Sequence, residues 1–205
     1  MFDVVRPNVG ILPDALKTSS NPYSISDSDT AVVIGAGTIG LFILQAAKLR
    51  GARRTVACDI SDFRLDLARQ VGADECVNSH AKPLKQTIDE LTDGRGADIV
   101  FEAVGYAETF REAIAITRTG GSVVAVGNLA KETQFNLQEL VSRELTFTGS
   151  YASSGEFRAC IDLIASGRIN VGPLVSEVLP LKDGPSAFKR LLDAKENLLK
   201  IVVEP

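Results

Sequence analysis

The stretch AVVIGAGTIGLFILQAAKLRGARRTVACDI, Ala31 to Ile60, decides how the chain is read. A short apolar run leads into GAGTIG, a long apolar helix pattern follows, Gly51 closes it, and RTVACDI ends in an acid. That order is strand, glycine turn, helix, strand. A lone GxGxxG says little, but a strand before it and a helix after it are the context the dinucleotide fingerprint requires. Each glycine has its own reason. Gly35 makes the tight turn, Gly37 lets a pyrophosphate approach the backbone, and Gly40 lets the helix pack closely on the strand. The helix start then offers unpaired N–H groups and a partial positive charge to phosphates.

Asp59 ends the second strand, 19 residues after Gly40. An acid there accepts hydrogen bonds from the adenosine ribose hydroxyls and repels a 2′-phosphate. NAD is therefore favoured over NADP. Arg64 complicates this, because a nearby arginine can receive a 2′-phosphate; the plainer reading is a solvated helix residue over the adenine. A methyltransferase that binds adenosylmethionine is the competing reading of a glycine turn followed by an acid. It has no pyrophosphate to accommodate, so the third glycine and the long apolar helix favour a dinucleotide.

Outward from this unit, strand and helix patterns alternate. Strands are expected at TAVVIGA, RTVACDI, ECVNS, ADIVFEAVG, GSVVAVGN and LTFTGSY. Helices are expected at GTIGLFILQAAKLRG, SDFRLDLARQVGA, PLKQTIDELTDGRG and AETFREAIAITRTGG, the last with Gly120 past its end, and at NLQEL, where Asn136 and Glu139 have capping-box spacing. The strands are near-continuous apolar runs, the pattern of strands buried on both faces. The expected fold is α/β, a doubly wound parallel six-stranded (Rossmann) sheet with a small C-terminal strand–helix–strand appendage. Expected boundaries are an irregular segment over 1–29 with a short helical possibility at Leu12–Lys17, the dinucleotide domain over 30–152, and the appendage over 153–205. In the appendage Ser153 and Glu156 repeat the capping-box spacing, and LVSEVLPL and LLKIVVEP read as strands.

Composition narrows the classes. Hydrophobic residues are 45% of 205, enough for a core, and a net charge of −4 without a basic run argues against nucleic acid or an anionic membrane. No apolar run reaches the roughly 18 residues a membrane helix needs, and no basic-then-apolar leader opens the chain. A cytoplasmic protein is expected. Cys58, Cys76 and Cys160 are scattered and form no CxxC pair, which supports neither a disulfide framework nor a structural zinc. His80, the single histidine, reads as a solvated loop residue, since no catalytic partner is identifiable for it.

The ordered series DTAVVIGAGTIGLFILQAAKLRGA, GADECVN, TDGRGADIVFEAVG, TGGSVVAVG, ELTFTGSY and SGRINVGPLVSEVLPLKDGPSAFKRLL resembles the C-terminal half of zinc-type medium-chain dehydrogenase/reductases. The alcohol, polyol and threonine dehydrogenase branch is the nearest likeness; the quinone reductase branch is a poorer one. The resemblance runs from about Asp29 to Pro205. It implies an oxidoreductase that moves a hydride between an alcohol or ketone and a nicotinamide. It implies that Gly35, Gly37, Thr38, Ile39 and Gly40 hold the pyrophosphate and Asp59 the ribose, with Arg64 nearby. By the same likeness Ala103, Val104 and Gly105 lie near the adenosine and ribose. Val126, Gly127 and Asn128 stand beside the nicotinamide, Ser150 and Tyr151 meet its carboxamide, and Lys200 can reach the phosphates. The family pairs the strand at 144–151 across a two-fold axis, so a homodimer is expected.

The departure from the family matters as much. Relatives carry an N-terminal domain with the catalytic zinc ligands and most of the substrate pocket. Only about 30 residues precede the fingerprint here. Zinc is expected for the family, yet the sequence contains no recognisable ligand set. The chain therefore reads as the cofactor-binding half of such an enzyme, inactive alone, or as a non-catalytic NAD-binding or dimerising module.

Overall fold

The computed structural model describes residues 25–151, 155–193 and 196–205. The helix at Leu12–Lys17 and the Ser153 cap lie outside the described residues. Six strands form one sheet: β1 Thr30–Ile34, β2 Arg54–Asp59, β3 Glu75–Asn78, β4 Ala97–Glu102, β5 Thr117–Ala125 and β6 Thr146–Gly149. Their order is β3-β2-β1-β4-β5-β6, all parallel, the doubly wound arrangement. Between them run α1 Thr38–Leu49, α2 Asp62–Gln70, α3 Leu84–Leu91, α4 Ala107–Ile116 and α5 Leu137–Ser142.

The central strands are apolar at nearly every position because helices cover both faces. Val33 and Phe101 pack with Phe42 and Leu44 of α1 on one side, while Val32 and Val100 pack with Ile114 of α4 and Ile88 of α3 on the other. Side-chain caps start α2 and α5: Ser61 accepts from the Arg64 N–H, and Asn136 from the N–H groups of Gln138 and Glu139. α1 differs. Gly37 stands at its N-cap without a side-chain bond, and no acid occupies its first turn.

One expectation needs correction. The helix over 107–121 ends at Ile116, before Gly120, and β5 already begins at Thr117. The Thr117 hydroxyl donates to the Ala113 carbonyl, and the Arg143 guanidinium donates to the carbonyls of Ile114 and Thr117. These donors satisfy the last turn, so the helix stops without a glycine. The same arrangement settles Arg143 itself. As a neighbour of the β6 edge it could blunt that edge in a monomer, but it folds inward under α4 instead.

The appendage holds α6 Phe157–Ala165, β7 Glu177–Pro180, α7 Gly184–Asp193 and β8 Ile201–Glu204. Cys160 and Ile164 of α6 dock into the core that α1 also enters. β7 and β8 pair with each other in parallel, away from the main sheet. Their surroundings stay apolar and open: Phe188 is 76% and Leu192 85% exposed. Among the described residues no helix is long and apolar enough to cross a membrane.

Candidate functional site

The site forms where the carboxyl ends of the central strands meet α1. Gly35 follows β1 with φ +99°, a conformation that side chains rarely adopt. A Cβ there would also stand 2.8 Å from Val104 Cγ2. At Gly40 a Cβ would meet the Gly35 carbonyl oxygen at 1.8 Å, so only glycine lets the first turn of α1 close on the loop. Around Gly37 a Cβ would touch nothing within 4 Å: the space in front of the helix start is open. Thr38 and Ile39, half-buried, complete this turn. A 12-residue helix thus presents an uncapped N-terminus to an open space, a ready seat for an anion.

Asp59 closes β2 beside that seat, its side chain 5% exposed. The Ala36 N–H donates to Oδ2 at 2.8 Å and the Ser61 N–H to Oδ1 at 2.9 Å. A carboxylate offers about four acceptor positions, so capacity remains for two ligand hydroxyls. Arg64 Nη1 stands 3.7 Å from Oδ2 on an exposed side chain. These residues form one wall of a cleft of about 340 Å³, whose other wall is Arg190, Leu191 and residues 196–198 of the appendage. Arg190 donates to both oxygens of Glu177 at 2.7 and 2.8 Å and to Glu196 at 2.6 and 3.0 Å, which fixes that wall. The sequence reading missed Arg190 and Glu196, which follow Asp59 by more than 130 residues and carry no motif.

The ends of β4 and β5 come next along the sheet. Ala103, Val104 and Gly105 follow β4, and Val126, Gly127 and the exposed Asn128 follow β5. The N–H groups of Val126 and Gly127 both donate to the Glu102 carbonyl at 2.9 Å. Ser150, buried, donates its N–H to the Ala125 carbonyl at 2.9 Å, whereas Tyr151 is 77% exposed. Lys200 lies half-buried just before β8, and burial pushes its ammonium below the usual lysine range.

The described residues do not fit a catalytic zinc. No group of three His, Cys, Asp or Glu side chains gathers among them. Burial and the negative charge of Glu112 push the Cys58 thiol up to about 12, and burial raises Cys160 to about 11, so both favour the thiol over the thiolate a metal needs. His80 is exposed after β3, where its N–H donates to Asn78.

Comparison with known proteins agrees with this geometry. Residues 38–166 match the zinc-binding dehydrogenase family. The chain is 30% identical over 179 residues to a putative D-xylulose reductase of Agrobacterium fabrum, covering 87% of this chain and 51% of that protein. It is 33% identical over 178 residues to the D-xylulose reductase of Saccharomyces cerevisiae, covering 84% and 50%. A putative zinc-binding dehydrogenase from Sinorhizobium meliloti, solved bound to NADP, superposes with a TM-score of 0.85 at 26% identity, over 95% of this chain and 57% of that one. The chain spans about half the length of the curated relatives it matches. With the doubly wound sheet, the glycine turn and the match over residues 38–166, this chain belongs to the zinc-binding dehydrogenase family.

Proposed function

We propose that the chain is the NAD-binding portion of an alcohol or polyol dehydrogenase. The observation that carries this reading is the uncapped start of α1 beside the buried Asp59 carboxylate. In it, the N–H groups of the α1 start, with Thr38 and Ile39, receive the pyrophosphate over Gly35, Gly37 and Gly40. Asp59 accepts the hydroxyls of the adenosine ribose in the 340 Å³ cleft, with Arg64 over the adenine. Ala103, Val104 and Gly105 lie near the adenosine and ribose. Val126, Gly127 and Asn128 flank the nicotinamide, and Ser150 and Tyr151 orient its carboxamide. Lys200 neutralises phosphate charge. Bound, the nicotinamide supplies the position that accepts or returns a hydride.

Charge favours NAD over NADP. The cleft has two arginines, Arg64 and Arg190, but Arg64 faces Asp59 and Arg190 is shared by two carboxylates. A 2′-phosphate would meet Asp59 and Glu196 with no cation left for it. The substrate class follows the xylulose reductase relatives. Groups that would polarise a substrate are assigned to no residue here; residues 153–205 read as the part of the substrate domain that this chain carries. Scattered thiols fit a cytoplasmic setting.

Calorimetry tests the reading. NADH is expected to bind at least tenfold more tightly than NADPH. Asp59→Ser should narrow that gap, and Asp59→Ser with Glu196→Gln should narrow it further, because a second negative charge is then removed from the cleft and Arg190 is left to Glu177 alone. Equal or reversed affinities in the parent would refute the NAD assignment.

A further inference from the structure

Glu102, the last residue of β4, is fully buried, and a buried carboxylate needs a reason. Its Oε1 accepts three hydrogen bonds: from the Val104 N–H at 3.0 Å, the Gly105 N–H at 2.8 Å and the Thr109 hydroxyl at 2.8 Å. One oxygen therefore ties the turn after β4 to the first turns of α4. Its own backbone carbonyl holds Val126 and Gly127 of the neighbouring loop. Among the described residues Oε2 has no hydrogen-bond partner, and neither has Thr133 Oγ1. Glu102 and Thr133 line the same small cleft of about 130 Å³ behind these loops.

The held turn is the point on which the loops of the site lean. A Cβ at Gly127 would meet the Gly105 N at 2.1 Å, and one at Gly105 would meet the Asn128 N at 2.7 Å. The Ala130 N–H donates to the Gly105 carbonyl at 2.8 Å. On the other side Val104 rests against Gly35, where a Cβ would stand 2.8 Å from it. A displaced Val104–Gly105 turn has no slack to move into without moving Gly127 and Asn128.

We propose that Glu102 is a positioning residue for the nicotinamide half of the nucleotide, acting through the Val104–Gly105 turn on the 126–130 loop. The proposal rests on the nucleotide reading above. Strand order sharpens it. Asp59 on β2 and the turn after β1 lie to one side; the ends of β4 and β5 lie beyond them. A ligand that stops at the first phosphate reaches the former but not the loop after β5.

The experiment compares NADH with AMP by calorimetry on the 205-residue chain and on variants whose folding is followed by circular dichroism and thermal melting. Glu102→Leu keeps the volume and removes the acceptor. It is expected to weaken NADH binding by about tenfold or more, as buried donors are left unpaired, and AMP binding by less than about threefold. Glu102→Gln keeps an acceptor oxygen and places a donor at the second position. It should bring NADH affinity back to within about threefold of the parent. If Glu102→Leu does not fold, Glu102→Asp, one methylene short of both N–H groups, takes its place with the same expectation. Unchanged NADH affinity in a folded Leu or Asp variant, equal loss of both ligands, or a Gln variant as weak as the Leu or Asp variant would each overturn the positioning role alone. A parent that binds neither ligand would overturn the nucleotide reading and this role with it.

Discussion

At the scale of single residues, the phosphate role proposed for Lys200 carries a protonation signature. Its ammonium is partly desolvated, its pKa is lowered, and its Nζ has no hydrogen-bond or ion-pair partner among the described residues. A lowered lysine pKa means that the free protein loses this proton earlier than an ordinary lysine does on the alkaline side. A phosphate brought close favours the charged form and raises the pKa again. Binding NADH should therefore take up protons between the two values, on the alkaline side. Calorimetry in buffers of different ionisation enthalpy should record that uptake. Lys200→Met should remove it and weaken binding about tenfold. An unchanged proton count in the variant would exclude Lys200 from the phosphates.

At the scale of elements, the sheet is clamped at the end opposite the site. Asp98, near the start of β4, accepts from the Thr30 N–H of β1 at 2.8 Å, from both Arg95 nitrogens at 2.7 and 2.8 Å, and from Arg118 of β5 at 2.6 Å. Burial alone would raise its pKa, but the Arg95, Thr30 and Arg118 hydrogen bonds outweigh burial and hold it below the usual carboxylate range. With the folded value lowered, the unfolded chain binds the proton more readily. The stabilisation is present above the unfolded value of about 3.9 and is lost as pH falls through the lower folded one. Asp98→Asn should cost about 2 kcal/mol at neutral pH, discounted because Arg95 is half-exposed. It should also flatten the loss of stability below about pH 4. Urea unfolding between about pH 3 and 7 checks both; a variant with the parent's acid slope would show that the clamp is not the titrating group.

At the scale of the whole molecule, two surfaces are unfinished among the described residues. One is the edge of β6, which pairs only with β5. Around it Val141 is 65% and Phe147 41% exposed, and Phe147 rests against Phe110 at 5.1 Å between ring centroids. Arg143 is committed to α4, which leaves the exposed Glu144 as the charge beside this edge. We expect two copies to pair through it about a two-fold axis, which satisfies both edges at once. Light scattering at micromolar concentration should give a dimer. Thr146→Lys, which sets like charges on both copies of an edge, should give a folded monomer. A monomeric parent, or a variant that stays dimeric, would place the interface elsewhere. The other unfinished surface is the apolar face around Phe188 and Leu192 on α7.

The sequence by itself determined the parts whose causes are local. The β1–α1–β2 unit was legible because its glycines, apolar runs and terminal acid lie within 30 residues. The central strands β1, β2 and β4 were legible because burial on both faces leaves a near-continuous apolar run, whatever the neighbours are. The Asn136 cap was legible because its partners are two and three residues away. Only the tertiary structure decided the rest. The far wall of the cleft is made by Arg190 and Glu196, which meet Asp59 across the molecule. Where α4 stops was decided by Arg143, 27 residues beyond Ile116. Glu102 reads as one more strand residue until its oxygen is seen to hold the turn that its neighbours lean on. Periodicity and spacing report which face a residue shows. They carry no record of which distant backbone groups will need a donor, a carboxylate or room to approach, and those needs exist only once the elements have packed.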